Sequence, residues 1–248
     1  MQDLKTLVGR AYFEYLRLAW RRQGAATLAL AGHSFRFADV DQPPHDWFAY
    51  EIRRGRWERT VLAKYASAIR PGDTVFDIGA YLGPYALLGG VQAGPRGKVF
   101  TFEPDPVARV RLEKNLAINH ATNVEIVDQA VSDGPGWLTM SGDLGSSQAG
   151  TASDGDGIRV PTVGLDEFCE QRGVQPAVIK MDVEGGEERI VSDAGERTLR
   201  SARTVIVEVH EQLGVDVARI DAMFSGWGKR RELLEGERWG GFNVAYSD

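Results

Sequence analysis

One cysteine, Cys169, is all that the 248 residues contain. That excludes an internal disulfide framework and a cysteine-rich zinc site, and it fits a buried, inert thiol in a reducing cytoplasm. Positive charge is not in excess either. Lys and Arg number 29 against 35 Asp and Glu, a net of −6, so no global basic surface argues for nucleic acid as a partner. No apolar run approaches membrane-spanning length, and the N-terminus lacks the core and cleavage site of a secretory signal. No internal repeat is visible. Length and composition suit a cytoplasmic globular protein with one large domain and a modest extension.

What is present centres on residues 75–83, VFDIGAYLG. Thr74, Val75 and Phe76 are β-branched or aromatic and read as a strand that stops at Asp77. Gly79 and Gly83 then bracket a tight turn, and Pro84 sits where the first turn of a helix begins. A strand, a glycine turn and a helix in this order build a ligand site from backbone N–H groups. An ordinary strand–helix connection is the bland alternative. The dinucleotide fingerprint needs a middle glycine for the pyrophosphate, and Tyr81 fills that place here. Asp77 would repel two phosphates but suits a ligand carrying an ammonium and a sulfonium. D-x-G-x-x-x-G is similar to motif I of S-adenosylmethionine (SAM)-dependent methyltransferases, which makes Asp77, Gly79, Tyr81 and Gly83 candidate cofactor residues.

Residues 1–50 read as an N-terminal helix and hairpin, and residues 51–248 as the main domain. Leu4, Leu7, Val8, Ala11, Tyr12, Tyr15, Leu18 and Ala19 recur at helical spacing with basic flanks. Such a helix packs on its own domain or on a sister subunit; peripheral membrane contact is the alternative. Residues 25–31 and 34–40 read as a hairpin turning at Gly32 and His33. His45 opens a short helix as a cap or surface residue, and residues 56–70 form a second amphipathic helix.

Residues 98–103, KVFTFE, give a second strand ending in Glu103, 20 residues beyond Gly83. A carboxylate there can accept both hydroxyls of an adenosine ribose. After a helix over 107–120 and a strand over 124–127, Gln129 and Ala130 are placed to meet a purine. Residues 137–141 and 158–163 read as two extra strands. Between them, residues 142–157 are rich in Gly, Ser and Asp and are read as a flap. Strands over 177–182 and 204–209 follow, with helices over 165–172, 187–194 and 215–224. Residues 231–234 and 242–246 close the sheet as an antiparallel pair. Strands apolar throughout predict an α/β fold with helices on both faces of a mostly parallel sheet.

In this order, DIGAYLG at 77–83, FEPDP at 102–106, QAVSD at 129–133, VPTVGLDEF at 160–168, KMDVEGGE at 180–187 and VEVH at 207–210 resemble the FkbM family of SAM-dependent methyltransferases. Tyr81 is a departure, because the family usually carries Asn there. The resemblance implies a Rossmann-like sheet of seven strands and O-methylation of a hydroxyl on a polyketide, sugar, glycan or other small-molecule natural product. His210, just past a central strand, is the candidate base, with Asp182 and Glu184 as alternatives. Asp182 also falls at a strand end and counts among the cofactor residues. Asp182 and Glu208 are placed somewhat as in metal-dependent small-molecule O-methyltransferases, which makes Mg²⁺ an option. Two rivals stay open: a nicotinamide-dependent oxidoreductase, and a catalytically inactive nucleotide-binding protein.

Overall fold

Strands without a polar face demand cover on both sides, and the computed structural model supplies it. It describes residues 2–41, 45–141, 148–149, 157–235 and 241–248. In chain order the elements are α1 (Gln2–Gln23), β1 (Ala25–Leu30), β2 (His33–Ala38), α2 (His45–Arg53), α3 (Arg59–Ala68), β3 (Thr74–Ile78), α4 (Pro84–Ala93), β4 (Lys98–Phe102), α5 (Pro106–Ile118) and β5 (Val124–Val127). Then come β6 (Ala130–Ser132), β7 (Gly136–Ser141), β8 (Gln148–Ala149), β9 (Ile158–Gly164), α6 (Leu165–Arg172), β10 (Val178–Met181) and α7 (Glu187–Ile190). The chain ends with α8 (Glu196–Ser201), β11 (Thr204–Val209), α9 (Val217–Gly226), β12 (Arg230–Glu235) and β13 (Phe242–Ser247).

The main sheet has seven strands in the order β12-β13-β11-β10-β3-β4-β5. Strands β5, β4, β3, β10 and β11 run parallel, and β13 is antiparallel to both β11 and β12. The chain leaves β3 towards β4 and β5, then returns to lay β10 on the other side of β3. Strand order reverses there, and a crevice opens at the carboxyl ends of β3 and β10, where ligands settle in such sheets. The apolar strands predicted the two-sided, mostly parallel sheet, and its seven Rossmann-like strands are those the family resemblance implies.

Alternation along the strands sorts the two cores. Phe76 and Phe102 face Phe168 of α6, with ring centroids 5.6 and 4.9 Å from it, in the core beneath α6, α8 and α9. Val75 and Val99 face the other core, shared with Tyr65 and Leu82. The N-terminal extension is not a separate unit in packing terms, since Leu16, Trp20, Phe37 and Phe48 join that same core. Helix α1 buries Leu16 and Trp20 but leaves Tyr12, Tyr15 and Leu18 exposed.

Two asparagines of α5 fasten the hairpin. Asn119 exchanges hydrogen bonds with Arg36, donating to its carbonyl at 2.7 Å and accepting from its N–H at 2.9 Å. Buried Asn115 accepts from the Ala38 N–H at 2.8 Å and donates to the Leu82 carbonyl at 2.9 Å, tying β2 to the glycine turn. Asn115→Ala strands both of those backbone groups, each costing about 1–3 kcal/mol when left unsatisfied. Urea denaturation is expected to show a loss of about 2–4 kcal/mol. A loss under about 1 kcal/mol would mean that water replaces the side chain.

Local expectations shift in three places. His33 is not a turn residue; it pairs with Leu30 as the first residue of β2, and the turn falls on Ala31 and Gly32. The helix expected over 187–194 stops at Ile190, and a separate α8 starts only at Glu196, after Gly195 has packed against the last turn of α7. A Cβ on Gly195 would lie 2.5 Å from the Ile190 carbonyl oxygen. The two extra strands belong to a four-stranded sheet ordered β6-β9-β7-β8, in which the three-residue β6 was too short to read from sequence. Most of the expected flap, residues 142–147 and 150–156, lies outside the described residues.

Candidate active site

The crevice is built where β3 and β10 end side by side. Gly79 has φ +86°, and a Cβ there would lie 1.7 Å from the Asp182 carbonyl oxygen. Only glycine permits this approach. Tyr81 takes φ +52°, and its N–H donates to Glu103 Oε2 at 2.7 Å. Glu103 is buried, and its other oxygen accepts from the Asp105 N–H at 3.0 Å. Burial pushes its carboxyl up to about 7, against the pull of those two backbone donors. Asp105 caps α5, accepting from the Val107 N–H at 2.7 Å, which fixes the strand tip that carries Glu103.

A cavity of about 390 Å³ opens over these strand ends. Glu103, Asp105, Ala108, Ala130, Leu138 and Met140 line one end; Trp47, Trp57, Glu58, Tyr85 and Glu208 line the other, with Gly79, Tyr81, Asp182 and Glu184 also on its wall. The second end is rich in charge. Lys180, 1% exposed, lies 4.0 Å from Asp182 and 3.7 Å from Glu208, with its ammonium 5.3 Å from the Tyr85 ring centre. The Tyr85 hydroxyl donates to Glu58. Burial raises the Glu58 carboxyl to about 8 and the Glu208 carboxyl to about 7, Asp182 adding to the latter, although Lys180 opposes both.

His210 stands behind this wall rather than in it. Its Nδ1 is 2.5 Å from Glu187 Oε1, and its Nε2 is 3.6 Å from Glu184 and 3.8 Å from Asp182. Burial alone would lower its pKa, but Glu187, Asp182 and Glu184 outweigh that and raise it to about 9. The imidazole is therefore protonated at neutral pH. Ligand atoms of Asp182, Glu208 and His210 lie within 4.8 Å of one another. That set is a poor match for Mg²⁺, which takes hard oxygen ligands: the two carboxylates already share the buried Lys180 ammonium, and the third donor is a histidine nitrogen.

Several residues sit otherwise than the sequence suggested. Asp77 does not line the cavity. It is buried on the α4 side of the sheet, accepts from Thr101 Oγ1 at 3.0 Å, and lies in register with Lys180. Gly83 is not on the wall either; it caps α4 at φ +84°, and a Cβ would lie 2.4 Å from Leu112 Cδ1 of α5. At the purine end the cavity meets Ala130 but not Gln129. His45 is no surface residue: it is 2% exposed, against Tyr81. Sequence reasoning gave no role to Glu58, Tyr85, Trp47 or Arg189, all on the wall. Trp57 falls inside the helix expected over 56–70, but with Glu58 it precedes α3, and Glu58 takes φ +39°. No spacing pattern announces a residue in that conformation.

Comparison with known proteins supplies the family. The family described as the methyltransferase FkbM domain matches residues 77–231, more than half of the chain. The chain is 28% identical over 199 residues to 31-O-demethyl-FK506 methyltransferase FkbM of Streptomyces tacrolimicus, spanning 66% of this chain and 75% of that protein. It is 26% identical over 186 residues to 2-O-methyltransferase NoeI of Sinorhizobium fredii, with the same coverage of 66% and 75%. Among solved structures, precorrin-6y C5,15-methyltransferase from Geobacter metallireducens aligns with a TM-score of 0.48 at 15% identity, over 77% of this chain and 87% of that one. With the matched segment running from the end of β3 into β12, the chain belongs to the FkbM methyltransferase domain family.

Proposed function

We propose that the chain transfers a methyl group from SAM to a hydroxyl of a small-molecule natural product, sugar or glycan. One observation carries this reading. A single cavity joins a buried carboxylate at the tip of β4 to a carboxylate cluster past β10 and β11, across the switch point. SAM supplies a methyl group already activated by the positive sulfur. Glu103 would accept the ribose hydroxyls, Ala130 would border the purine, and the acidic end complements the ligand's positive charge.

Alignment does most of the work in such a transfer. Holding the acceptor oxygen behind the methyl supplies an effective molarity of about 10⁵–10⁸ M, whereas a base adds about 10²–10⁴-fold. The acceptor's proton still needs a destination. Since His210 is already protonated, we assign the proton to Asp182 or Glu184 on the cavity wall, with His210 holding both from behind. The acceptor would lie towards Trp47, Trp57 and Tyr85, whose rings offer flat apolar faces.

Calorimetric titration with SAM and with NAD separates this reading from the oxidoreductase, which Tyr81 in the glycine turn disfavours. Glu103→Gln keeps an acceptor but loses the charge, so SAM affinity is expected to fall by about tenfold to a hundredfold. Unchanged affinity would remove the ribose assignment. Label from methyl-labelled SAM appearing in a hydroxylated acceptor supports transfer. Tight binding without label in any acceptor favours the inactive nucleotide-binding protein.

A further inference from the structure

His45 belongs to the N-terminal extension, and methyl transfer as described makes no use of it. Yet its Nδ1 meets the Tyr81 hydroxyl, and the two rings lie 5.4 Å apart. Burial, with Arg111 nearby, holds the His45 pKa down to about 4, and burial pushes the Tyr81 phenol well above its usual value. Both are therefore neutral at physiological pH, and they share one hydrogen bond whose direction follows the imidazole tautomer. Phe48, on the same helix, packs edge-on against the Tyr81 ring at 6.1 Å. Helix α2 is held in turn by α1, because Arg17 lies 3.1 Å from Asp46 and donates to the Asp41 carbonyl at 3.2 Å.

The backbone at Tyr81 is what this anchoring acts on. A tyrosine at φ +52° is in a conformation that β-carbon-bearing residues avoid, and it persists only where the surroundings over-determine it. In that conformation the Tyr81 N–H donates to Glu103 Oε2 at 2.7 Å.

We propose that α2 is a working part of the cofactor site: the His45–Tyr81 bond holds the glycine turn so that the Tyr81 N–H aims the Glu103 carboxylate at the ribose. His45 and Tyr81 are thus positioning residues, and the extension, which lies outside the matched family segment, completes a site built by the family fold. The inference rests on the SAM reading above.

The test is calorimetry on the full chain with S-adenosylhomocysteine and its 2′-deoxyribose analogue. Wild type is expected to prefer the parent compound by about tenfold or more, which reports the Glu103 grip. Tyr81→Phe removes one hydroxyl and keeps the ring packing. It should lower affinity for the parent compound about tenfold and shrink the ribose preference to under about threefold. His45→Ala should do the same, while His45→Asn, whose amide can donate or accept in place of Nδ1, should stay within about threefold of wild type. Should His45→Ala fail to fold, Tyr81→Phe decides. Wild-type affinity in Tyr81→Phe overturns the proposal. So does a loss of affinity with the ribose preference intact, since that marks a merely structural contact. If wild type itself shows no ribose preference, the cofactor reading falls first and this one with it.

Discussion

Gly79→Ala is expected to abolish SAM binding and to destabilise the fold by about 3–5 kcal/mol. Two separate effects add at this position. The φ of +86° costs an L-residue about 1–2 kcal/mol by itself. The added Cβ would also lie 1.7 Å from the Asp182 carbonyl oxygen, a backbone atom that cannot rotate away. Asp182 is itself pinned, because its N–H donates to the Ile78 carbonyl at 2.9 Å. The tips of β3 and β10 would have to separate, and the floor of the cavity with them. Gly83→Ala is the informative contrast. Its Cβ would meet Leu112 Cδ1, the flexible end of a side chain, so a weakened but binding-competent protein is expected. Thermal melts with and without S-adenosylhomocysteine distinguish the two variants. A Gly79→Ala protein that bound with wild-type affinity would show that the two strand tips are not apposed.

The contrast between these glycines shows what the sequence could and could not disclose. Strand, turn and helix around Asp77–Gly83 are local, so residue types at fixed spacing reveal them, and the Glu103 position follows from the same strand–helix arithmetic. The sheet was legible because unbroken apolar strands need two covered faces. Facing was harder. Period-two alternation puts Asp77 with Val75 on the α4 side, where Thr101 and Lys180 hold it, although its place beside the glycine turn suggested a direct ligand contact. Gln129 and Ala130 differ by one residue at a strand junction, and only the register of β6 against β9 decides which meets the cavity. The aromatic end was invisible for another reason. Trp47 comes from α2 and Trp57 from the entry to α3, segments that meet the strand ends only through tertiary packing. The charge on His210 likewise depends on Glu187, Asp182 and Glu184 converging on it from a different loop.

Lys180→Met is expected to cost about 3–5 kcal/mol at pH 8.5, despite keeping a side chain of similar length. The ammonium is fully enclosed, and its partners Asp182 and Glu208 come from the tips of neighbouring strands. Burial would lower its pKa, yet the carboxylates of Asp182, Glu208, Glu58 and Asp77 raise it instead, so it stays charged across the range in which the protein functions. Removing that charge leaves the carboxylates facing one another without a cation between them, and their proton affinities must rise further. The sign with pH follows. Glu58 at about 8 and Glu208 at about 7 are already raised, so the stability they contribute is fully present below the unfolded carboxyl range and is lost as pH climbs through those values. In the variant this loss steepens, because the same carboxylates must ionise without their counter-charge. Denaturant titrations of wild type and Lys180→Met should therefore diverge with rising pH, with a modest difference at pH 5.5 and the full difference at pH 8.5. Lys180→Arg should not restore the wild-type curve, since a planar guanidinium does not fit an enclosure shaped around a compact ammonium. A deficit that stays constant from pH 5.5 to 8.5 would mean that Lys180 serves packing alone.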